Sequence, residues 1–272
     1  MPELPEVEVT CIGLKPLLSY KVSQVNIRNF SLRWPINPNL SKILKDQVLI
    51  NLSRRGKYIL ARFSKGTLIL HLGMSGRLCV VPTGEIAQKH DHVDIIFDSN
   101  CNKTLRYRDP RRFGCILWTE EDPLNHKLIH CLGPEPLTNT FNNVYLFKKL
   151  RKKTQAIKNS IMDGHLVVGV GNIYSSESLF QAGIRPDRPS YKVTKKEALI
   201  LVASIKNVIK DAIAKGGSTL NDFYDVDGKN GYFQNEHQVY GRAGDSCIQC
   251  GEMIHQIRIG QRSSFYCRKC QK

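Results

Sequence analysis

Two cysteine pairs near the end of the chain constrain the fold more than any other feature of the sequence. Cys247 and Cys250 form one C-x-x-C pair, Cys267 and Cys270 form a second, and sixteen residues separate the pairs. Four thiols at this spacing are typical of a tetrahedral zinc site. A redox pair would need only one C-x-x-C within a thioredoxin-like unit, and disulfides are uncommon in the cytoplasm. We therefore predict one Zn²⁺ per chain, bound by these four cysteines.

The predicted zinc has a structural role, because four thiolate ligands leave no open coordination position. It supplies folding energy to a segment that is too short to build its own core, and it holds a hairpin between the two cysteine pairs. Arg258, Arg262 and Ser263 lie on this hairpin. A rigid surface that presents arginine and serine is suited to gripping a phosphate.

The charge of the chain points to an anionic partner. The 272 residues include 40 Lys and Arg against 24 Asp and Glu, a formal net charge of +16. This surplus is typical of proteins that bind polyanions, so nucleic acid is the leading partner; a charge that only aids solubility is the alternative. No membrane partner is expected, since the sequence has no apolar run of transmembrane length, no lipidation signal and no basic leader.

We expect a cytoplasmic protein in which the remaining five cysteines are reduced thiols, packed as small apolar side chains. These are Cys11, Cys79, Cys101, Cys115 and Cys131.

The order of the sequence patterns predicts strands first and helices second. Between Ser23 and Trp118, short apolar stretches alternate with turn residues, which is typical of a sandwich or barrel. Gly133-Pro134-Glu135-Pro136 interrupts any regular element, and beyond it apolar positions recur at helical spacing, most clearly from Ala198 to Ile213. We place a domain boundary near residue 134. A basic run over 148–158, interpreted as a helix face, is either a solvated or a phosphate-facing surface.

The first eight residues, which contain two prolines and three glutamates, allow two interpretations. Proline near the first helical position, with glutamate in the first turn, is a common way for a helix to begin. Alternatively, removal of Met1 leaves Pro2 with a free secondary amine, whose pKa of about 8 is far below that of lysine. Such an amine is a nucleophile for covalent catalysis. Taken alone, Pro2 is interpreted as part of an ordinary helix start, because a motif is only a hypothesis until its context agrees.

The context of Pro2 resembles one known family, the formamidopyrimidine-DNA glycosylases. Seven motifs, spread in the family's order from residue 2 to residue 270, carry the resemblance. They are Pro2-Glu3-Leu4-Pro5-Glu6-Val7-Glu8, Arg54-Arg55-Gly56-Lys57-Tyr58, His71-Leu72-Gly73-Met74-Ser75-Gly76, Lys89-His90-Asp91-His92-Val93-Asp94, Asp109-Pro110-Arg111-Arg112-Phe113-Gly114, Gly169-Val170-Gly171-Asn172-Ile173-Tyr174 and the four-cysteine finger.

The resemblance implies an α+β fold in three parts. These are an N-terminal catalytic β-sandwich domain (residues 1–134), a helical domain with a helix-two-turn-helix (135–237) and a C-terminal zinc-finger β-hairpin (238–272). It also implies a monomer that acts on double-stranded DNA, and a bacterial, cytoplasmic location.

The implied activity is base-excision repair by a bifunctional glycosylase and AP lyase. Such an enzyme removes oxidised purines, namely 8-oxoguanine and formamidopyrimidines, and cuts the abasic strand by β,δ-elimination. Pro2 would be the Schiff-base nucleophile and Glu3 the general acid that assists opening of the sugar ring, with Glu6 in a supporting role. Lys57 would contact phosphate and donate a proton in β-elimination, while Arg262 would grip phosphate and serve in δ-elimination.

The resemblance further implies a set of DNA contacts. A base that leaves the stack has to be replaced by a wedge, and the strand has to be clamped while the base is out. Taken alone, Met74 and Phe113 would be interpreted as core residues and His90 as a structural histidine. The implied contacts are the wedge residues Met74, Arg111 and Phe113, the clamps His71 and Asn172, and the further contacts His90 and Lys153.

No nucleotide cofactor is expected. The 169–172 segment lacks the preceding strand and the third glycine of a dinucleotide-binding loop, and the resemblance makes it the turn of the helix-two-turn-helix. Two positions depart from the family pattern. Gly164 stands where relatives often carry a polar amide, and Asn221 stands where a basic residue is common, in the segment that the family folds over the everted base.

Two alternative functions remain. An endonuclease VIII-type glycosylase shares the terminus and the finger but prefers oxidised pyrimidines; the residues that favour the purine enzyme are Leu4, Met74, Arg111 and Phe113. A non-catalytic zinc-finger DNA-binding protein would keep only the basic surface and the finger. The intact residues that argue against it are Pro2, Glu3, Lys57 and Arg262.

Overall fold

The computed structural model describes residues 2–218 and 233–272, which form two compact units. Residues 2–130 and 216–218 belong to the N-terminal unit, and residues 131–215 and 233–272 to the C-terminal unit. Met1 and residues 219–232, including Asn221, lie outside the described residues. The three domain ranges drawn from the sequence stay a prediction. Within the described ranges, each helix is too short or too polar to cross a membrane.

The N-terminal unit contains two four-stranded antiparallel sheets, which confirms the predicted β-sandwich. Its strands are β1 (Val22–Ile27), β2 (Leu49–Arg55), β3 (Tyr58–Phe63), β4 (Thr67–His71), β5 (Arg77–Pro82), β6 (Asp91–Phe97), β7 (Lys103–Arg108) and β8 (Cys115–Thr119). One sheet has the order β1-β6-β7-β5 and the other β2-β3-β4-β8. The helices of this unit are α1 (Leu4–Gly13) and α2 (Leu40–Leu44), with 3₁₀ turns at Lys15–Leu17 and Pro123–Asn125.

Apolar residues from both sheets and from α1 form one core in this unit. Val7 of α1 packs with residues such as Ile59 and Leu70 of one sheet and Val93 and Leu105 of the other. Helix α1 lies against β2 and β3. The core therefore anchors the first turn of the chain on the sheet whose β2–β3 turn carries Lys57.

The single cysteines follow the prediction in part. Cys11 and Cys115 are buried, and burial raises the pKa of these thiols to about 11 and about 12, so they stay protonated and pack as apolar groups. Cys79 and Cys101 are half-buried. The prediction is wrong for Cys131, which is exposed because it lies in the connection that follows the sandwich.

The C-terminal unit combines four helices with one hairpin. The helices are α3 (Asn143–Leu150), α4 (Ile157–Met162), α5 (Asn172–Gln181) and α6 (Lys195–Ala214), the strands are β9 (Ile254–Ile259) and β10 (Arg262–Cys267), and 3₁₀ turns cover Ser190–Lys192 and Phe233–Glu236. Thr194 and Glu197 form a capping box that starts α6. The predicted helix over 198–213 is confirmed, since its apolar positions form the buried face of α6.

The basic run over 148–158 is not one helix face, so that interpretation was wrong. Helix α3 ends at Leu150 and α4 begins at Ile157. Between them the backbone pairs with the 189–191 segment: the Ser190 N–H donates to the Gln155 carbonyl and the Tyr191 N–H to the Lys153 carbonyl. These bonds replace the helical hydrogen bonds of the intervening residues.

Candidate functional site

A buried carboxylate holds the start of the chain. Pro2 and Glu3 are buried and precede α1, with Glu3 at its N-cap position. The Glu3 N–H donates to Oε2 of Glu6 at 2.8 Å, and the Ser218 N–H donates to Oε1 of the same carboxylate at 2.8 Å. Gly217 adopts φ +81, and a Cβ there would lie 3.0 Å from Glu6. Glu6 thus fixes the backbone beside Pro2 and joins it to a residue more than two hundred positions away.

Lys57 and His71 lie on neighbouring parts of the same sheet. Lys57 occupies the β2–β3 turn, where Gly56 adopts φ +58, and His71 ends β4. Tyr58 pairs with His71 across the strands, and their ring centroids are 4.7 Å apart. The Gly73 N–H donates to Nδ1 of His71 at 3.0 Å. This bond leaves Nε2 as the protonated nitrogen of a neutral ring, able to donate a hydrogen bond.

Burial lowers the pKa of His71 to about 4, and the positive charges of Lys57 and Arg33 act in the same direction. His71 is therefore uncharged at neutral pH. A phosphate contact from this ring would be a hydrogen bond without an ion pair.

The three predicted wedge residues lie on two loops of the N-terminal unit. Met74 is half-buried in the β4–β5 loop. Arg111 and Phe113 are both exposed in the β7–β8 loop, and the Arg111 guanidinium lies 4.9 Å from the centroid of the Phe113 ring. His90 immediately precedes β6, is half-buried and adopts φ +77. The structure thus brings the wedge side chains to loops, where they are available for contact, and does not bury them in the core.

Asn172 begins α5 in the C-terminal unit. Its Nδ2 donates to the Tyr240 hydroxyl at 3.3 Å, and within the described ranges its buried Oδ1 has no hydrogen-bond partner. Turning the amide by 180° lets Tyr240 donate to Oδ1 and frees an N–H. The loop carrying Tyr240 is fixed by Glu177 of α5, whose carboxylate accepts N–H bonds from Gln238, Val239 and Tyr240 at 2.8–3.1 Å.

Lys153 does not project freely. Its Nζ lies 3.0 Å from Oδ2 of Asp163, and both side chains are partly exposed. A phosphate contact by Lys153 would therefore compete with this ion pair, which is weak because it is open to water.

The four cysteines of the finger form a site that fits zinc. Their Sγ atoms all lie within 4.8 Å of one another, with Cys250 and Cys267 at 3.5 Å and Cys247 and Cys270 at 3.9 Å. A tetrahedron with Zn–S bonds of about 2.3 Å has S–S edges of about 3.8 Å. The donor set and its spacing therefore match a four-thiolate structural site.

The finger hairpin presents Arg262 at its tip. Gly260, with φ +57, opens the two-residue turn between β9 and β10, as a primed hairpin turn requires. Arg262 is the first residue of β10 and is exposed. The strands of this hairpin share a core with α5, in which Phe180 packs with Ile254 and Phe265.

A fully buried lysine ties this hairpin to the helices. The Nζ of Lys158 donates to Oγ of Ser176 at 2.9 Å, to Oγ of Ser264 at 2.9 Å and to the carbonyl of Ser263 at 3.1 Å. Ser176 in turn donates to the carbonyl of Asn172 at 2.9 Å. The segments that carry Asn172 and Arg262 are thus joined through one ammonium group.

Sequence reasoning missed the buried polar residues that position these segments. Lys158 stood at the end of a basic run, where its charge suggested exposure, and Glu177 stood among the helical residues without a motif of its own. Asp109 lay inside a family motif but was given no role. A charged residue within an apolar helical repeat is the one signal that could have marked Lys158 and Glu177.

We expect His71 to make folding pH-dependent. Its folded pKa of about 4 is below the ordinary value of 6.5, so the unfolded chain takes up the proton first as the pH falls. The stability that neutral His71 contributes is complete above pH 6.5 and is lost as the pH falls towards 4. Urea unfolding at pH 7 and at pH 4.5 gives the loss of unfolding free energy between these two pH values. This loss should be smaller in His71→Gln than in the wild type, by roughly 2–3 kcal/mol. His130→Gln, at an exposed position, should keep the wild-type difference; an equal loss in both variants would contradict the assignment.

We expect metal analysis to find one zinc per chain, and Cys247→Ser to lose both the metal and binding to DNA. The reason is that the hairpin carrying Arg262 depends on the metal for its fold, whereas the sandwich has its own core. Far-ultraviolet circular dichroism should still report the strands of the N-terminal unit. Cys131→Ser, which changes an exposed thiol, is the matched control and should leave zinc content and binding unchanged. Full DNA binding by a zinc-free protein would refute the prediction.

Comparisons with known proteins agree over the whole chain. Family models match as follows: formamidopyrimidine-DNA glycosylase N-terminal domain, residues 1–116; formamidopyrimidine-DNA glycosylase H2TH domain, residues 132–224; and the zinc finger found in FPG and IleRS, residues 244–272. The formamidopyrimidine-DNA glycosylase of Methylobacillus flagellatus is 50% identical over 272 residues, covering 100% of this chain and 97% of the relative.

Solved structures give the same result. Wild-type Lactococcus lactis Fpg (MutM) in complex with DNA containing N7-benzyl-Fapy-dG has a TM-score of 0.92 and 32% identity, covering 100% of both chains. The Lactococcus lactis Fpg complex with DNA containing an abasic site has a TM-score of 0.90 and 32% identity, covering 99% of both. Because the sequence matches, the fold and the four-cysteine site agree from end to end, this chain belongs to the formamidopyrimidine-DNA glycosylase family.

Proposed function

We propose that this protein is a base-excision repair enzyme that removes oxidised purines from double-stranded DNA and then cuts the abasic strand by β,δ-elimination. The curated relatives are named formamidopyrimidine-DNA glycosylases, and several solved relatives are bound to DNA that contains a lesion or an abasic site. The observation that carries the proposal to this chain is the buried Pro2-Glu3 segment, in which the Glu6 carboxylate accepts the N–H of Glu3, the residue after Pro2.

Pro2 supplies the chemistry of the first step. Once Met1 is removed, its secondary amine is partly neutral at physiological pH and attacks C1′ of the damaged nucleoside. The bond from C1′ to the base breaks, and the departing base takes the proton that the attacking amine gives up. Glu3 then gives a proton to the ring oxygen, so that the bond from C1′ to this oxygen breaks as the iminium forms. Glu6 supports both residues through the Glu3 N–H bond. A group held in this way needs little reordering before it reacts.

The iminium then serves as an electron sink for strand cleavage. It acidifies the proton on C2′, whose loss expels the 3′-phosphate, and a second elimination expels the 5′-phosphate. We assign Lys57 as the proton donor of the first elimination and Arg262 to the second. Water regenerates the amine of Pro2 from the final iminium.

The DNA is held mainly through its phosphates. The net charge of +16 supplies the attraction, and the clamp residues supply the position. We assign Lys57, His71, Asn172 and Arg262 to this clamp, with His90 and Lys153 as further contacts. His71 acts as a neutral donor, and Lys153 exchanges its ion pair with Asp163 for one with phosphate. We propose Met74, Arg111 and Phe113 as the wedge that fills the space left by the everted base.

The two alternatives are less well supported. The curated relatives carry the name of the purine enzyme, which disfavours the endonuclease VIII type. A purely binding protein would have no need for a proline amine fixed beside a buried glutamate. We place the enzyme in the cytoplasm of a bacterium, at the nucleoid, because its substrate is chromosomal DNA and its relatives are bacterial.

We expect Pro2→Gly to lose most base excision on an 8-oxoguanine duplex while it still binds that duplex, because the amine is not needed to hold phosphates. Glu3→Gln should slow base release by at least roughly 100-fold, since an amide cannot deliver the proton. On a pre-made abasic site, where the base is already gone, Glu3→Gln should still form some borohydride-trapped complex. A protein that retains Met1 should form none.

Glu8→Gln is the matched control for Glu3→Gln, because Glu8 lies on α1, the helix that Glu3 precedes, but pairs with Arg54 at 2.6 Å. It should retain base release. If protein that keeps Met1 traps as well as the mature protein, a lysine is the nucleophile, and Lys57 is the first to test.

The lesion class is tested separately, with duplexes that carry either 8-oxoguanine or thymine glycol. Faster release of 8-oxoguanine supports the purine enzyme. Faster release of thymine glycol would replace it with the endonuclease VIII type.

A further inference from the structure

The wedge residues project from two loops that are bound to each other. We define the wedge loops as residues 72–76, between β4 and β5, and residues 109–114, between β7 and β8. The first carries Met74 and the second carries Arg111 and Phe113. Any motion of one loop relative to the other would change the shape of the wedge.

One buried carboxylate joins the two loops. Asp109 is fully buried, and its Oδ1 accepts a hydrogen bond from the Ser75 hydroxyl at 2.7 Å. Its Oδ2 accepts the Gly114 N–H at 2.9 Å and the Tyr107 hydroxyl at 3.3 Å. The Arg111 N–H donates to Oγ of Ser75 at 3.2 Å. A continuous set of hydrogen bonds therefore runs from Gly114 through Asp109 and Ser75 to the backbone of Arg111.

The network is buried, and its surroundings keep its hydroxyl donors protonated. Burial, followed by the charge of Asp109, raises the pKa of Tyr107 well above its ordinary value, so the phenol remains a donor. His92 contacts the Asp109 carbonyl through Nε2 at 2.8 Å. Hydrogen bonds to a buried carboxylate are stronger than those between neutral groups, because the acceptor carries charge.

The two backbones also touch directly. Gly73 adopts φ +61, and a Cβ at this position would lie 2.5 Å from the backbone of Phe113 and Gly114. The second loop turns sharply, since Arg112 adopts φ +57 and its N–H donates to the Asp109 carbonyl at 3.2 Å. This contact leaves no room for the loops to move towards each other.

We propose that Asp109 and Ser75 are positioning residues that lock the wedge loops into one rigid element, and that this rigidity allows Arg111 to discriminate among the bases opposite the lesion. The inference rests on the proposed function. Base recognition depends on hydrogen bonds at fixed positions on a base edge, so a wedge whose backbone moves would still fill the space but would recognise the opposing base poorly.

The test uses the full-length protein and 8-oxoguanine duplexes with each of the four opposing bases. The rate of 8-oxoguanine release is measured under single-turnover conditions on each duplex. We define the spread as the ratio of the highest of the four rates to the lowest. Ser75→Ala and Asp109→Asn should each narrow this spread by about tenfold, the effect of weakening a hydrogen bond to a charged group. Arg111→Ala should narrow it as well. In Ser75→Ala and Asp109→Asn, borohydride trapping on a pre-made abasic site should stay within about threefold of the wild type, because Ser75 and Asp109 do not take part in the chemistry of Pro2.

Hydrogen exchange supplies a second measurement that needs no DNA. The Gly114 amide should exchange faster in both variants than in the wild type. In Asp109→Asn its hydrogen bond is to a neutral amide, and in Ser75→Ala the Asp109 carboxylate that accepts it has lost the bond from Ser75. Ser75→Ala carries the test if Asp109→Asn does not fold.

Asp98→Asn is the matched control. The Asp98 carboxylate likewise accepts backbone N–H bonds, from Lys21 and Cys101, but it lies in the β6–β7 turn. It should keep the wild-type spread. An unchanged spread in Ser75→Ala, or an equal narrowing in Asp98→Asn, would overturn the inference while the proposed function stands. A wild-type protein that fails to release 8-oxoguanine would instead overturn the proposed function.

Discussion

Two hydrogen bonds to the carboxylate of Glu6 fix the start of the chain, and the proposed chemistry depends on them. The terminal residues of a protein are commonly the least ordered part of it. Here the Glu3 N–H and the Ser218 N–H share one buried acceptor. Apolar packing of α1 on the sheet sets the depth of the helix, but it is this polar contact that fixes the residues ahead of it. A reactive amine at the end of a chain is useful only if its position is fixed in this way.

The C-terminal segment is also fixed by buried polar groups, although the groups are different. Four thiolates hold the finger, and Lys158 holds the finger to α4 and α5. The side chain of Gln271 adds a further link, since its Nε2 donates to the Ile184 carbonyl at 2.7 Å and its Oε1 accepts the Cys267 N–H at 2.9 Å. The C-terminal unit thus relies on buried polar groups where its short segments lack apolar surface.

The sequence was sufficient to predict features that depend on local spacing. The C-x-x-C pairs predicted the thiolate cluster, and the apolar repeats predicted the strands and the long helix α6. The resemblance supplied the identity of Pro2 and Glu3 as candidate catalytic residues. These signals can be detected from sequence because ligand spacing and amphipathic periodicity are patterns within short segments of the chain.

Contacts between distant residues were not predictable in the same way. The burial of Lys158 depends on two serines more than a hundred positions further along the chain and on one in α5. The break between α3 and α4 depends on backbone pairing with residues 189–191. The role of Asp109 depends on Ser75 in another loop. The number and spacing of basic residues give no information on such partners, because the fold brings these partners together from distant parts of the sequence.

The backbone contact between the wedge loops limits which of their residues can be substituted. A Cβ at Gly114 would collide with the Tyr107 hydroxyl, and a Cβ at Gly73 would collide with the opposite loop. A side chain at either position would displace the backbone or side chains around it, so both glycines are needed for the loops to pack as they do. Substitutions that leave this backbone in place are therefore expected at the exposed tips, such as Arg111 and Phe113. Under the proposed function, replacing a tip residue would change which base is tolerated opposite a lesion and would leave the backbone beneath it in place.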